Sequence, residues 1–361
     1  MRLLLLAWML LLVGWGGLAA QSSFPQTDPV RLLNHLPAAS VTWDGDELLT
    51  IEFPPLDLPP ADGMGEGMIR TPVYRVDIPV SGSIFKYEVA VLDAAGNTLP
   101  RDRLHHVNVN DPDRRELFAP IMLHVLAAGK ETPSPQVPWL LFGMPIDSGQ
   151  RFVGSGMLAN PEPNTGVGWR IRVILHLVKA GRPWPFWDAF PWVMDVLHPI
   201  GGPDGSKAFD LAPGRTERSW ESSPAVDGTI LGMGGHVHDY AVRLTLRDVT
   251  TAEVIWSVEP ERDAAGHVIE LPFVRFYRWY RLGRKIQSDH RYRVTVVYEN
   301  PTGQTISDGG MGALAGLFVP DHVDRWPQAD PTNPVYLEDL DNTLQHMGAG
   351  AGEPVEHQHH H

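Results

Sequence analysis

The residues best suited to chemistry in this chain are histidines at short spacing. Gly234-Gly235-His236-Val237-His238-Asp239-Tyr240 runs into a β-like stretch at 241–249. Side chains alternate across a strand, so His236 and His238 point the same way and are able to hold one ion between them. Tyr240, Val242, Leu244 and Leu246 are expected to continue that face, with Arg243, Thr245 and Arg247 on the other. Two readings fit the pair: a metal held at the rim of a core, or two rim histidines bonded to backbone. Asp239 is placed either to orient an imidazole or as a surface carboxylate.

Two further histidine sites precede this one. Leu104-His105-His106-Val107-Asn108-Val109 reads as a strand with adjacent histidines. Adjacent residues on a regular strand face opposite ways, so both grip one ion only at a bulge or a strand end. Otherwise one points inward and one to solvent. His176 lies on a long strand, 168–178, whose apolar face is Trp169, Ile171, Val173, Leu175 and Leu177. It shares the other face with Arg170, Arg172 and Ile174, towards solvent or a cleft. His124, His198, His267, His290 and His322 have no partner at ligand spacing and default to structural roles. No nucleophile triad, phosphate-cradling glycine loop or paired-carboxylate pattern stands out.

The elements that must position these residues follow from the whole chain. At 361 residues it is too long for one ordinary domain, and two sandwich-sized units fit. With 35 Gly, 33 Pro and few stretches of helical period, it reads as turn-rich and all-β. The units are expected at 39–180 and 206–320. Hydrophobic content of 43% is ample for two cores. A net charge of −14 argues against nucleic-acid binding, which needs a basic surface.

The N-terminal 1–20 carries one positive charge, the apolar run 3–13 and small residues before Gln21. That describes a secretory signal peptide, hence a periplasmic or secreted protein. The alternative is an uncleaved membrane anchor, because residues 3–20 just reach spanning length. Export normally permits disulfides, yet there is no Cys, so any soft metal ligand must be Met. The stretch 181–205 is expected as a linker rich in Pro and Trp. Its Trp184, Trp187 and Trp192 either pack between the domains or contact a partner or membrane. Residues 273–285 interleave aromatics with Arg275, Arg278, Arg281, Arg284 and Lys285, which suits a strand with an arginine-decorated outer face. The tail 321–361 is acidic, then Gly-rich, and ends in a histidine cluster to which no function is given.

Taken in order, these pieces resemble the copper type II, ascorbate-dependent monooxygenases, the family of peptidylglycine α-hydroxylating monooxygenase. The likeness rests on His105-His106, His176, His236-Val237-His238 and Met311 in Asp308-Gly309-Gly310-Met311. Tyr298-Glu299-Asn300-Pro301-Thr302 resembles the strand and turn before the methionine. Residues 85–109 are also similar to plant stress-up-regulated nodulin-type secreted proteins. The resemblance implies two antiparallel jelly-roll-like β-sandwich domains in tandem, one copper on each. His236, His238 and Met311 would be the oxygen-binding, catalytic copper site. His105, His106 and His176 would hold an electron-storing copper. Imidazole plus thioether suits copper, above all Cu(I). This sequence departs from the amidating enzyme at Gly234, Ala313 and Ala315, where the family has Arg, Asn and Tyr to anchor a peptide carboxylate. Peptide amidation is therefore not expected.

Three functions are carried forward. The first is an exported copper monooxygenase that hydroxylates a small organic substrate with O2 and a one-electron reductant such as ascorbate. The second is a copper-binding protein for sequestration or delivery, without turnover. The third is an accessory β-sandwich module that docks on a membrane complex.

Overall fold

A computed structural model describes residues 33–61, 67–129, 136–198, 207–263, 267–278 and 280–346. The 1–20 leader and the histidines at 357–361 lie outside the described residues. No described helix is long and apolar enough to cross a membrane.

The chain is all-β, built as two packed sandwiches. In the first lobe, Leu104–Arg115 lies between Arg151–Asn160 and Met122–Gly129, with Gly67–Arg70 and Tyr74–Asp77 beyond Arg151–Asn160. The facing sheet is centred on Gly166–Lys179, flanked by Leu48–Glu52 and Gly82–Leu92. Strict alternation made that central strand legible. Ile171, Val173, Leu175 and Leu177 are all buried against the opposite sheet, and only glycine fits at 154 and 156, beneath Phe53 and Ile171.

In the second lobe, Gly228–Val237 pairs with Gly312–Pro320, which pairs in turn with Phe190–Asp195. Gly214–Ser222, Tyr292–Asn300, Ala241–Asp248 and Val254–Val258 form the sheet opposite. Gly235 approaches Leu244, and Gly312 approaches Val296, across the layer between the sheets.

The stretch 181–205 is more than a linker. Trp187–Asp188 adds in parallel to Phe142–Ile146 of the first lobe, and Phe190–Asp195 is an edge strand of the second. Pro191, which cannot donate to a ladder, is tolerated because the strand is at an edge. Trp192 is wholly buried with its ring edge-on to Phe118 at 5.4 Å, so it is core and no contact for a partner. Trp184 and Trp187 remain partly exposed.

The lobes share a seam. The buried Glu116 carboxylate accepts the backbone N–H of Leu117, of His124 and, across the seam, of Val193 at 3.2 Å. It also holds His124 Nδ1 at 3.0 Å. Phe118, two residues on, inserts between Trp192 and Tyr292 of the second lobe. A buried carboxylate so supplied with donors is satisfied.

The tail is structured where it is described. Trp326 stacks on Phe190 at 4.3 Å, and the helix Pro334–His346 packs Tyr336 and Leu340 with Met122 and Val153 of the first lobe.

Candidate metal centre

The strand Gly228–Val237 carries His236 to one corner of the second lobe. Gly235 and Val237 face the core, so His236 and His238 project from the opposite face. Their rings stand 5.3 Å apart, nearly perpendicular at 83°. The pair therefore shares a side, as its spacing requires. The expected continuation of that face through Tyr240, Val242, Leu244 and Leu246 does not hold. The chain turns at Asp239-Tyr240, Tyr240 sits at φ +67°, and the next strand belongs to the other sheet. Leu244 and Leu246 are core, whereas the imidazoles are outside it. Changing sheets at a corner resets the phase of the alternation.

One phenol organises this corner. The Tyr298 hydroxyl accepts the backbone N–H of His238 at 2.9 Å and that of Met311 at 2.9 Å, and donates to the Met311 carbonyl. A single oxygen thus pins the backbone of the H-x-H strand end to that of the methionine. Tyr298 is fully buried, and burial raises its pKa above the ordinary value. Met311 is half-buried in the break between Ile306–Gly310 and Gly312–Pro320.

His238 is oriented as well. Its Nδ1 lies 3.0 Å from the Asp308 carbonyl, which only accepts, so Nδ1 carries the proton and Nε2 presents its lone pair. Holding one ring nitrogen on a backbone carbonyl is how metal-binding histidines are commonly aimed. The backbones of His238 and Met311 thus meet at one corner, and imidazole together with thioether is a donor chemistry that suits copper.

Asp239 serves a different partner. It accepts from His267 Nδ1 at 2.7 Å and from the Val268 N–H at 2.8 Å, tying the hairpin of Glu261–Arg262 and Val268–Glu270 to the corner. That hydrogen bond and the Asp239 charge raise the pKa of His267.

The adjacent histidines of the first lobe meet the condition set for them. Met157 lies opposite His106 and Leu158 opposite Leu104, which leaves His105 as the extra residue of a bulge. Leu104 and Val107 are both buried, and both imidazoles are turned outward. Their Nδ1 atoms are 3.1 Å apart. For metal–nitrogen bonds of about 2.0–2.1 Å that bite subtends about 100°, within the range of four-coordinate metals. Burial, then the neighbouring His105 and Arg70, lowers the His106 pKa to about 4, so the ring is neutral at ordinary pH.

The residue opposite His106 is a methionine. Met157 is buried and shares the outward face with His106, because directly paired residues project to the same side. Sequence reasoning missed it: the two residues are 51 positions apart and only the strand register joins them.

His176 is placed elsewhere. It is on the outer face of the facing sheet, with Nε2 3.2 Å from Glu88 Oε1 and its ring edge-on to Phe85. The two sheets of a sandwich lie about 10 Å apart, and His176 and His105-His106 project from their opposite outer faces. The structure does not bring the three together. Among the described residues no three His, Asp or Glu side chains have metal-holding spacing.

No family model and no curated protein matches this chain. Among solved structures, PNGF-II in a C2 space group shows 9% identity over 76% of this chain, with a TM-score of 0.35. The chain spans 65% of the length of that protein. The infectious bursal disease virus VP2 subviral particle shows 12% identity, covering 83% of this chain and 80% of its own, at a TM-score of 0.25. A protein of Eubacterium rectale described as secreted shows 8% identity over 69% of each chain, at 0.21. Likenesses this distant carry no argument about chemistry.

Proposed function

We propose that this chain is an exported copper-binding protein of the monooxygenase-like kind, with its redox centre at His236, His238 and Met311. The observation that supports it is the Tyr298 hydroxyl, which couples the backbone of the H-x-H end to that of the methionine, while the Asp308 carbonyl holds His238 Nδ1. Bound copper would supply one-electron chemistry with O2. Hydroxylation consumes a C–H bond, one O2, two electrons and two protons, and yields an alcohol and water; the electrons come from an external reductant such as ascorbate. The chain's own part is to present nitrogen donors, to hold the methionine strand in register and to leave His236 exposed at the surface. His105, His106 and Met157 form a second donor set of the same soft type.

A second reading is binding and delivery without turnover. It is favoured by the small residues beside His236: Gly234, Ala313 and Ala315 lie on the same outward face and offer no polar group to grip a substrate. Copper-loaded protein assayed for reductant-dependent O2 uptake separates the two. Uptake lost in Met311→Ala supports the oxygenase. Stoichiometric Cu(I) binding without uptake supports delivery, and absence of Cu(I) binding overturns both.

A further inference from the structure

Two loop tips at one edge of the first lobe expose an unusual amount of aromatic surface. Trp139 and Leu140 sit on one, at 46% and 41% exposure; Trp184, Phe186 and Trp187 sit on the other, with Phe186 at 72%. The tips are one unit. The Phe186 N–H donates to the Leu140 carbonyl at 3.1 Å, and the Trp187 N–H to that of Leu141 at 2.9 Å. The second lobe adjoins the tips, because the buried Phe142 ring contacts both Trp187 and Tyr277, at 5.6 and 5.2 Å.

Beside Tyr277 the surface turns cationic. Between Leu271 and Gln287 the chain has five basic residues and no acidic one, in a protein of net charge −14. Arg284 pairs with Glu253, and Lys285 with Asp321. The exposed Arg275 instead lies over the Tyr277 ring at 5.3 Å, and Arg278 Nη1 donates to the carbonyls of Arg275 and Tyr277. Phe273 and Tyr280, at 65% and 69%, stand among these arginines.

We propose that this edge docks peripherally on an anionic lipid surface, the aromatic tips entering the headgroup region and Arg275 and Arg278 meeting lipid phosphate. Projecting tips with Trp, Phe and Leu suit insertion into an interface of mixed polarity, where indole rings are favoured. The guanidinium flank provides charge complementarity to an anionic leaflet, each cation near such a surface adding attraction that salt screens. The acidic remainder of the molecule is repelled by the same surface, which fixes the docking orientation.

The test is vesicle co-sedimentation of the full chain with phosphatidylcholine vesicles, with and without phosphatidylglycerol. Phosphatidylglycerol is expected to tighten binding at least tenfold, and high salt to reverse that gain. Phe186→Ser and the pair Arg275→Glu with Arg278→Glu are each expected to weaken binding at least tenfold. Both alter exposed side chains, and circular dichroism confirms that they fold. The parent and the variants carry the same N-terminal apolar run, so their difference reads the patch alone. Equal binding of parent and variants overturns the proposal. So does a parent that self-associates through the patch, Phe186→Ser being monomeric, with no lipid preference.

Discussion

Replacing Tyr298 with Phe removes one oxygen and keeps the ring, whose edge meets Phe209 at 5.9 Å. Three hydrogen bonds disappear together: those from the N–H groups of His238 and Met311, and the one to the Met311 carbonyl. A net intramolecular hydrogen bond is worth about 1 kcal/mol, and a buried donor left without an acceptor costs about 1–3 kcal/mol. Tyr298→Phe should therefore destabilise the chain by about 2–4 kcal/mol. Tyr292→Phe is the matched control: that side chain is equally buried, but among the described residues its hydroxyl accepts the Gln287 N–H alone, at 3.0 Å, so its loss should cost about 1 kcal/mol. Urea unfolding gives both values. Cu(I) affinity, read by competition with a chromophoric chelator, should fall at least tenfold in Tyr298→Phe and stay unchanged in Tyr292→Phe. Equal destabilisation by the two variants, with unaltered Cu(I) affinity in both, would refute the claim that the phenol couples the imidazoles to the methionine.

Three further outcomes follow from the geometry. Met157→Leu keeps the volume of the buried side chain and removes its sulfur, so it should weaken Cu(I) at the first-lobe pair with little change in unfolding midpoint. His176→Ala should leave the copper stoichiometry at its parent value, by metal analysis, because His176 lies on the outer face of the other sheet. The third concerns acid. Burial, with Lys207 nearby, lowers the His198 pKa to about 3, and its ring stacks on Trp220 at 3.8 Å. The folded value lies below the ordinary one, so this stability is complete above about pH 6.5 and is lost as pH falls towards about 3. Between pH 7 and 5 the loss is roughly 2 kcal/mol, and His198→Phe should lack that part of it, measured as urea midpoints at both values.

How much was legible depended on whether a pattern was local. Alternation gave the strand at 168–178, observed as Gly166–Lys179, with its buried face and the outward placing of His176, because a period of two survives any register. The shared side of His236 and His238 was legible for the same reason. The corner after them was not, since Tyr240 takes a left-handed backbone that nothing in its residue type announces. The strand Phe190–Asp195 was hidden by Pro183, Pro185 and Pro191, although Phe190, Trp192 and Met194 alternate. Its place at a sheet edge is what allows the proline. The helix Pro334–His346 carries a local start signal. Asn333 caps it, its Oδ1 accepting the Val335 N–H at 2.9 Å, and Pro334 follows at the first position. Met157 and the Tyr298 hydroxyl had no local signal, because their roles exist only through register and tertiary contact.

The central claim is that one soft cation is held by nitrogen and sulfur at the second-lobe corner. The direct measurement is X-ray absorption on Met157→Leu protein loaded with one equivalent of Cu(I), with and without Met311→Leu. A sulfur shell in the first sample that vanishes in the second is the predicted result. Nitrogen and oxygen scattering alone in both would contradict it.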